Sequence, residues 1–296
     1  MPYLSTSMTL EDCRRFYAEE VQLLAGLSNP ALIRAFENVP RENFLGPGPW
    51  HVGISDMRTG GVRYSTTPDA DPCRVYHNVP IALDKNRDLN NGQPATVAYW
   101  IDALNLMPAE RVFHMGCGVG YFTAIMAQVI GPNGSIVANE VDPELAARAE
   151  KNLAAWKNVT VRAGDGAQVD PGECDAMMIN AGVTHPLSLW LDRLAVGGRL
   201  ILPLTIPVTA YLSKGLMTQI ERRANGYAAQ LVGFVAIYTC SSARDPQLEP
   251  LLGQGMASGK LMRMQSLRRD QHESGETCAL HGADFCISTT GLPAGG

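Results

Sequence analysis

Residues 111–124 of this chain read RVFHMGCGVGYFTA, and this stretch decides the fold. Apolar residues around Val112 and Phe113 predict a buried strand, and a helix-prone run at 122–130 follows three alternate glycines: Gly116, Gly118 and Gly120. Glycine permits the positive φ angles of a tight turn and lets the backbone approach a ligand, while the start of a helix offers free N–H groups. The stretch therefore predicts a strand, a ligand-binding turn and a helix.

A second predicted strand, residues 135–138, supports this interpretation because it leads to Glu140, about 20 residues beyond the glycines. A carboxylate at that distance can accept hydrogen bonds from ribose hydroxyls. The two features together predict a nucleoside-binding loop.

The composition favours a soluble globular protein, since 46% of the 296 residues are hydrophobic and 18% are charged. A net charge of -5 gives no general attraction for polyanions, so nucleic acid is not an expected partner. The most apolar segment, 200–212, contains Pro203 and Pro207 and is too short for a membrane span. With no secretory signal in the first residues, we expect a cytoplasmic protein.

Seven cysteines form an odd set without a CxxC pair: Cys13, Cys73, Cys117, Cys174, Cys240, Cys278 and Cys286. Such a set predicts neither a disulfide framework nor a zinc cluster. We therefore expect reduced thiols and no metal site, with Cys117 filling the glycine turn as a small residue.

Helices and strands alternate through the middle of the chain. Apolar positions predict two amphipathic helices within residues 11–38 and another that opens at Pro94. Asn225-Gly226 predicts an antiparallel hairpin. The remaining predicted strands span 159–162, 176–179 and 199–204. The alternation predicts a parallel sheet with helices on both faces and ligand groups at the carboxyl ends of its strands.

Seven stretches carry a resemblance to a known family. They are VFHMGCGVGYFTA, VANEVDP, VRAGDG and VGGRLILPL, together with NVPRENFLGP, NNGQPATVA and QIERRANGYAAQLVGFVAIY. Over about residues 38–238 the chain resembles class I S-adenosylmethionine-dependent methyltransferases, specifically the protein L-isoaspartyl O-methyltransferase family. The resemblance implies an α/β, Rossmann-like class I methyltransferase fold: a mostly parallel sheet, helices on both faces and an antiparallel C-terminal hairpin.

The resemblance also implies S-adenosyl-L-methionine as the cofactor. Gly116, Gly118 and Gly120 would line its methionyl part and Glu140 would bind its ribose. Val141 would pack on the adenine, and Asp165 with Gly166 would face the adenine edge. The expected cofactor-binding set is completed by Tyr121, Asn180, Asn90, Asn91 and Gln93.

One segment departs from the family, which carries a serine in a Gly-Gln-Thr-Ile-Ser-x-Pro motif near its acceptor site. Aligning Pro94 and Val97 with the family's proline and valine places Gly92 at that serine. A second register would put Thr96 in the serine position, but it loses the proline. With Asn90-Asn91-Gly92 in the segment, isoaspartyl repair is not the expected function.

We expect O-methylation of a small molecule or a modified peptide. The candidate catalytic residues are Asn91, His185 and His77, and either histidine could act as the base that a hydroxyl or amine acceptor requires. For both histidines the alternative is a loop residue with no catalytic role. A carboxylate acceptor needs no base.

Two other functions stay open at this point. The amino group of the cofactor could attack its own γ-carbon, which would release methylthioadenosine and form azetidine-2-carboxylate. The chain could also be a cofactor-binding protein without catalysis.

We expect three segments in the chain. Residues 1–98 would form a helical and irregular cap over the cofactor site, and residues 99–240 the cofactor-binding Rossmann-like core. Residues 241–296 would form a C-terminal extension packed on that core. The oligomeric state is not predicted.

Overall fold

The computed structural model describes residues 8–55 and 62–292, so the parts of the predicted segments at 1–7, 56–61 and 293–296 lie outside it. The helices are α1 (Leu10–Ala25), α2 (Pro30–Asn38), α3 (Pro94–Ala103), α4 (Tyr121–Ile130), α5 (Pro143–Leu153), α6 (Ser188–Arg193) and α7 (Leu248–Ala257). The strands are β1 (His51–Ser55), β2 (Val62–Thr66), β3 (Ala82–Asp84), β4 (Leu89–Asn90), β5 (Arg111–Met115), β6 (Ser135–Glu140), β7 (Val159–Ala163), β8 (Cys174–Ile179), β9 (Leu194–Pro207), β10 (Leu212–Arg223), β11 (Gly226–Tyr238), β12 (Ser266–Arg268), β13 (Cys278–His281) and β14 (Cys286–Ser288).

A ten-stranded sheet forms the centre of the protein, in the order β13-β14-β12-β11-β10-β9-β8-β5-β6-β7. Strand β5 pairs in parallel with both β6 and β8, so the strand order reverses beside β5. Ligands of open α/β sheets bind at the carboxyl ends of strands at such a reversal. The predicted α/β architecture, with its parallel strands and its antiparallel hairpin β10–β11, is confirmed.

Side chains on successive strand residues point to opposite faces, and the two faces carry separate apolar cores. Val112, Ala176 and Ile201 belong to the core that includes residues of α1 to α5. Phe113 and Met177 belong to the other core, which includes residues of α6 and α7. The sheet therefore has helices on both faces, as the alternation of elements predicts.

Local sequence signals set several helix starts. Helix α1 begins with a capping box in which Thr9 and Asp12 bond each other's backbone N–H groups. Helix α2 has Asn29 as its N-cap and proline at its first position. Asp142 caps α5 by accepting hydrogen bonds from the amides of Glu144 and Leu145.

The C-terminal extension widens the sheet. Strand β12 pairs with β11, β14 pairs with β12, and β13 forms the outer edge, all antiparallel. The sheet is therefore mixed, with a wider antiparallel half than the sequence predicted. Strands of three or four residues are too short to show a period, so their apolar residues gave no separate signal.

The expectation that all cysteines are reduced is wrong for two of them. Cys13 of α1 and Cys73 form a disulfide with 5.6 Å between their Cα atoms. The two residues are 60 positions apart, so no local spacing marks the pair. Helix α1 brings them together by packing against the short 3-10 turn at Pro72–Val75.

No helix in the described part of the chain combines the length and the apolar character that a bilayer crossing needs. The cytoplasmic location and the boundaries of the three segments stay predictions.

His114 of β5 gives a testable pH dependence. Its side chain is fully buried, its Nδ1 lies 2.9 Å from the Thr123 hydroxyl, and its Nε2 has no hydrogen-bond partner in the described residues. Burial lowers the pKa of His114 to about 3. Between about pH 6.5 and 3 the unfolded chain therefore binds a proton that the folded chain does not, and this group makes the protein less stable as the pH falls.

We expect the free energy of unfolding to fall by about 1 kcal/mol per pH unit from this source. His114→Leu should remove that part of the slope in urea unfolding measured from pH 7 to pH 4. His77→Gln, at an exposed histidine, is the control. Equal slopes for the wild type and His114→Leu would contradict the assignment.

Candidate active site

The glycine loop and the end of β8 meet at the reversal of strand order. The Asn180 side-chain amide donates to the carbonyl oxygen of Gly116 at 3.2 Å, and the Asn180 backbone N–H donates to the carbonyl oxygen of Met115 at 2.8 Å. The sequence-predicted residues Gly116 and Asn180 are thus brought together at the carboxyl edge of the sheet.

The three glycines are required for different reasons, although all have positive φ angles. A Cβ on Gly116 would lie 3.1 Å from the Asn180 carbonyl oxygen, and one on Gly120 would lie 2.7 Å from Leu153 Cδ1. A Cβ on Gly118 would meet nothing within 4 Å. Gly116 and Gly120 therefore serve packing, whereas Gly118 faces the open space where a ligand can approach.

Glu140 ends β6 beside this open position. Its carboxylate is only 6% exposed and accepts hydrogen bonds from the N–H groups of Gly118 at 2.8 Å and Asp142 at 3.0 Å. Burial raises the pKa of Glu140, while these amide hydrogen bonds act in the opposite direction. A carboxylate has about four lone-pair sites, and these amides do not occupy all of them, so acceptor capacity remains for a diol.

The next residue offers an apolar surface. Val141 is 54% exposed, so its apolar side chain is accessible to a flat ligand packed on it. Between β5 and the β7 end, Gly166 lies so close to Met115 and Asn139 that no Cβ fits there. Asn139 holds the loop after β7 by donating to the carbonyl oxygens of Arg162 and Gly164, both at 3.0 Å.

Asp165 is reached by a residue that the sequence analysis missed. The Ser242 hydroxyl donates to Asp165 Oδ1, and Arg244 donates to the carbonyl oxygens of Gly182 at 2.9 Å and Thr205 at 3.0 Å. The segment after β11 therefore runs along the ends of β7 and β8. No local motif marks it, because its role depends on where β11 ends.

The prediction that Tyr121 binds the cofactor needs a correction. We expected it among the cofactor-binding residues, but its side chain is 2% exposed and its hydroxyl lies 3.1 Å from the Tyr17 hydroxyl. Its ring packs edge-on against Phe36 and Phe44. As the first residue of α4, it faces the N-terminal helices because α2 packs on α4, so Tyr121 is a core residue.

The Asn90-Asn91-Gly92 segment lies against the first turn of α4. Gly92 has a φ of +80°, and a Cβ there would lie 3.4 Å from Phe122 and 3.1 Å from Val97 Cγ2. Asn90 Oδ1 accepts from the Gly92 N–H at 2.9 Å, and Asn90 Nδ2 donates to the Tyr64 hydroxyl at 3.2 Å. Both ends of the Asn90 side chain are thus engaged.

The candidates Asn91 and Gln93 differ in burial. Asn91 Oδ1 accepts from the Ile81 N–H at 2.7 Å, while its buried Nδ2 has no partner in the described residues. Gln93 is exposed and makes a long contact of 3.4 Å to the carbonyl oxygen of Asn78. A cofactor role for Asn90, Asn91 and Gln93, and a catalytic role for Asn91, stay predictions.

The two histidine candidates are in different environments. His77 is exposed, and its backbone carbonyl accepts from Arg41 at 2.9 Å. His185 stacks on Phe285 at 5.8 Å between ring centroids, and its Nδ1 lies 2.8 Å from the Thr184 hydroxyl. Burial lowers the pKa of His185, so its neutral form dominates at pH 7. The C-terminal extension, which supplies Phe285, therefore holds this side chain.

The comparisons decide the family. The protein-L-isoaspartate(D-aspartate) O-methyltransferase family model matches residues 63–241, which is more than half of the chain. The chain belongs to this family. The protein-L-isoaspartate O-methyltransferase of Picosynechococcus sp. is 30% identical over 187 residues, covering 62% of this chain and 72% of that protein. Protein-L-isoaspartate O-methyltransferase 1 of Rhodopseudomonas palustris is 29% identical over 259 residues, which cover 84% of this chain and 89% of that protein.

Solved structures show the same fold. A protein-L-isoaspartate O-methyltransferase structure has a TM-score of 0.56 at 21% identity and covers 81% of this chain and 69% of its own. A second structure is that of a putative protein-L-isoaspartate O-methyltransferase from Plasmodium falciparum in complex with S-adenosyl-L-homocysteine. It has a TM-score of 0.57 at 18% identity, and the match covers 77% of this chain and 98% of that chain. The class I methyltransferase fold is confirmed.

This member of the isoaspartate O-methyltransferase family is a methyltransferase, and S-adenosylmethionine is its methyl donor. The site fits that cofactor on two observations: the space over Gly118 is open, and a buried carboxylate stands at the end of β6. The contacts of individual residues with the cofactor stay predictions.

Glu140→Ala should weaken cofactor binding because ribose hydroxyls would lose their acceptor. We expect a loss of about 1–3 kcal/mol, which is roughly a 5- to 150-fold increase in Kd. Isothermal titration calorimetry with S-adenosylhomocysteine measures it, and Glu150→Ala on the exposed face of α5 is the control. An unchanged Kd would remove Glu140 from the site.

The variants Gly118→Ala and Gly120→Ala should show which of these glycines serves cofactor binding and which serves folding. Both place an alanine at positive φ, which costs roughly 1–2 kcal/mol. Only Gly120→Ala also forces a methyl against Leu153, so it should lower Tm more than Gly118→Ala does. Gly118→Ala should instead give the larger increase in the Kd for S-adenosylhomocysteine. The reverse order in either measurement would contradict the assignment.

Proposed function

We propose that this methyltransferase transfers a methyl group to an oxygen atom of a small molecule or of a modified peptide other than an isoaspartyl peptide. The family relationship supports methyl transfer from S-adenosylmethionine. The conformation of the Asn90-Asn91-Gly92 segment supports the different acceptor.

Gly92 carries this proposal. In the preferred alignment it occupies the position of the family's motif serine, and its left-handed backbone disfavours any residue with a side chain. The space beside it is also restricted, since Val97 Cγ2 lies 3.1 Å from the place of a Cβ. The segment is therefore built around glycine and presents no hydroxyl at this position.

The neighbouring asparagines also support a changed acceptor site. Asn90 is used to shape the turn, because it binds the Gly92 amide and the Tyr64 hydroxyl. Asn91 keeps an amide nitrogen without a partner in the described residues. An amide N–H suits a carboxylate oxygen, so we infer that Asn91 binds the acceptor after a small movement of the segment.

The reaction requires alignment more than it requires proton transfer. S-adenosylmethionine supplies a methyl group on a sulfonium, and the acceptor oxygen displaces the thioether in line. Positioning of this kind can contribute about 7–11 kcal/mol to the lowering of a barrier. A carboxylate acceptor is already deprotonated at pH 7. For a hydroxyl acceptor, His185 is the candidate base because its imidazole is neutral at that pH.

Product analysis with the purified full chain tests the proposal. The protein is incubated with S-adenosylmethionine alone, with an isoaspartyl peptide, with the matched aspartyl peptide, and with a panel of carboxylic acids and carboxylate-rich peptides. We expect S-adenosylhomocysteine to form with a member of the panel and no saturable ester on the isoaspartyl peptide. Saturable isoaspartyl esterification would contradict the proposal. Methylthioadenosine formed from the cofactor alone would instead establish the intramolecular cyclisation.

Two variants test the register of the motif. Gly92→Ser should destabilise the protein by about 1–2 kcal/mol, because serine is strained at positive φ, and should not create isoaspartyl activity. Thr96→Val removes the hydroxyl that the second register would use, and we expect less than a twofold change in turnover of the identified acceptor. Gain of isoaspartyl activity in the first variant would contradict the argument that the backbone at Gly92 excludes a working serine. Loss of turnover in the second variant would contradict the preferred register.

A further inference from the structure

Four side chains with metal-binding atoms meet at the outer edge of the sheet, in the C-terminal extension. They are His272, Cys278, His281 and Cys286, and one nitrogen or sulfur atom from each lies within 4.8 Å of the others. Cys278 and His281 are the first and last residues of β13, and Cys286 begins β14. His272 comes from the loop that leads to β13.

The spacing of these atoms suits a single Zn²⁺ ion. With Zn–S bonds of about 2.3 Å and Zn–N bonds of about 2.0–2.1 Å, a tetrahedral site has its donor atoms about 3.3–3.8 Å apart. His272 Nε2 lies 3.6 Å from Cys278 Sγ. The largest separation, 4.8 Å, closes to the tetrahedral value with shifts of about an ångström.

Contacts around the cluster orient two of the ligands. His272 Nδ1 lies 2.9 Å from the carbonyl oxygen of Asp270, which leaves Nε2 directed at Cys278. The Gly275 N–H donates to Cys278 Sγ at 3.3 Å. A histidine that donates its second ring nitrogen to a carbonyl is the usual arrangement beside a bound metal, because it fixes the tautomer that offers the other nitrogen.

The other two ligands carry buried atoms that a metal could bind. His281 Nδ1 is buried and has no hydrogen-bond partner in the described residues. Cys286 is fully buried between Arg268 of β12 and His281 of β13, its partners across the strands. A buried polar atom without a partner costs free energy, whereas a bond to a metal ion satisfies it.

The hairpin fixes the relative positions of His281 and Cys286. These residues pair across β13 and β14, and the turn between them is closed by a hydrogen bond of 2.9 Å from the Gly282 N–H to the Phe285 carbonyl oxygen. A Cβ on Gly282 would collide with the Phe285 ring, so this tight turn requires glycine. The strand pairing thus fixes the backbone positions of two of the four ligands.

We propose that this Cys₂His₂ cluster binds one Zn²⁺ ion in a closed structural site. All four positions are filled by the protein, which is typical of structural zinc and leaves no position for a substrate. On binding, the thiols of Cys278 and Cys286 each release a proton to solvent, and the two thiolates balance the charge of the ion. The expectation of no metal site rested on the absence of a CxxC pair, and this proposal departs from it. The spacing Cys278-x2-His281 was the signal in the sequence.

The site stabilises the hairpin that carries Phe285. This residue directly precedes Cys286 and stacks on His185, beside the end of β8. Zinc would therefore hold the ring that stacks on His185 in place without taking part in methyl transfer. The proposal does not depend on the identity of the acceptor.

Metal analysis of the full-length protein tests the proposal. After expression in zinc-supplemented medium and gel filtration, we expect about one zinc per chain by inductively coupled plasma mass spectrometry. Replacement by Co²⁺ should give the visible d–d bands and the thiolate charge-transfer band of a tetrahedral S₂N₂ site. Removal of zinc with a chelator should increase hydrogen exchange in residues 266–288.

Variants assign the ion to these residues. Cys278→Ser and Cys286→Ser should each lose the stoichiometric zinc, while Cys240→Ser, at a buried cysteine outside the cluster, should keep it. His272→Ala is the variant of choice if a buried substitution prevents folding, because it lies on a loop. We expect it to weaken zinc binding on the order of 100-fold in competition with a chromophoric chelator.

Three results would overturn the proposal. The first is a folded protein that contains no zinc and binds none when ZnCl₂ is added. The second is peptide mapping that finds Cys278 and Cys286 joined in a disulfide. The third is zinc binding that His272→Ala and Cys278→Ser leave unchanged. None of these results bears on methyl transfer, so failure of the zinc site and failure of the proposed function are distinguishable.

Discussion

A buried guanidinium holds the N-terminal third of the protein together. Arg41 is fully buried and donates to three carbonyl oxygens in segment 75–79 at distances of 2.6–2.9 Å. Its charge also lies over the rings of Tyr17 and Tyr121, at 5.5 and 5.9 Å from their centroids. Burying a cation is costly unless polar groups compensate it, so the irregular segment must present its carbonyls to the two terminal nitrogens of Arg41. Its Nε has no hydrogen-bond partner in the described residues. Arg41 thereby connects α1, the segment and the first turn of α4.

The Asn90-Asn91-Gly92 segment depends on that connection. Two residues beyond segment 75–79, the Ile81 N–H donates to Asn91 Oδ1, and Arg41 Nη2 lies 3.5 Å from the same oxygen. The position of Asn91 in turn fixes where Gly92 meets Phe122 and Val97. The segment that departs from the family's serine motif is therefore part of a buried hydrogen-bonded unit. A single substitution within it cannot restore the family's arrangement, because the neighbouring contacts would persist.

Periodicity and turn chemistry were sufficient to predict the parallel half of the sheet, its helices and the ligand edge. They placed Gly116, Glu140 and Asn180 at one edge, because strand ends of a parallel sheet must coincide there. They could not predict contacts between distant segments. The disulfide joins Cys13 and Cys73 across 60 positions, and Arg41 carries no pattern that distinguishes it from a surface arginine. The orientation of Tyr121 depends on α2 packing against α4, which no local signal encodes.

The loops around the predicted site are held by residues from inside and outside the range that the family model matches. The glycine loop, Glu140 and the β7 end lie inside residues 63–241, which the family model matches. Arg41 precedes that range, while Ser242, Arg244 and Phe285 follow it. These outer residues bind the loops at the ends of β7 and β8 or hold the Asn91 segment. Residues outside the matched range therefore position loops and a segment that lie inside it.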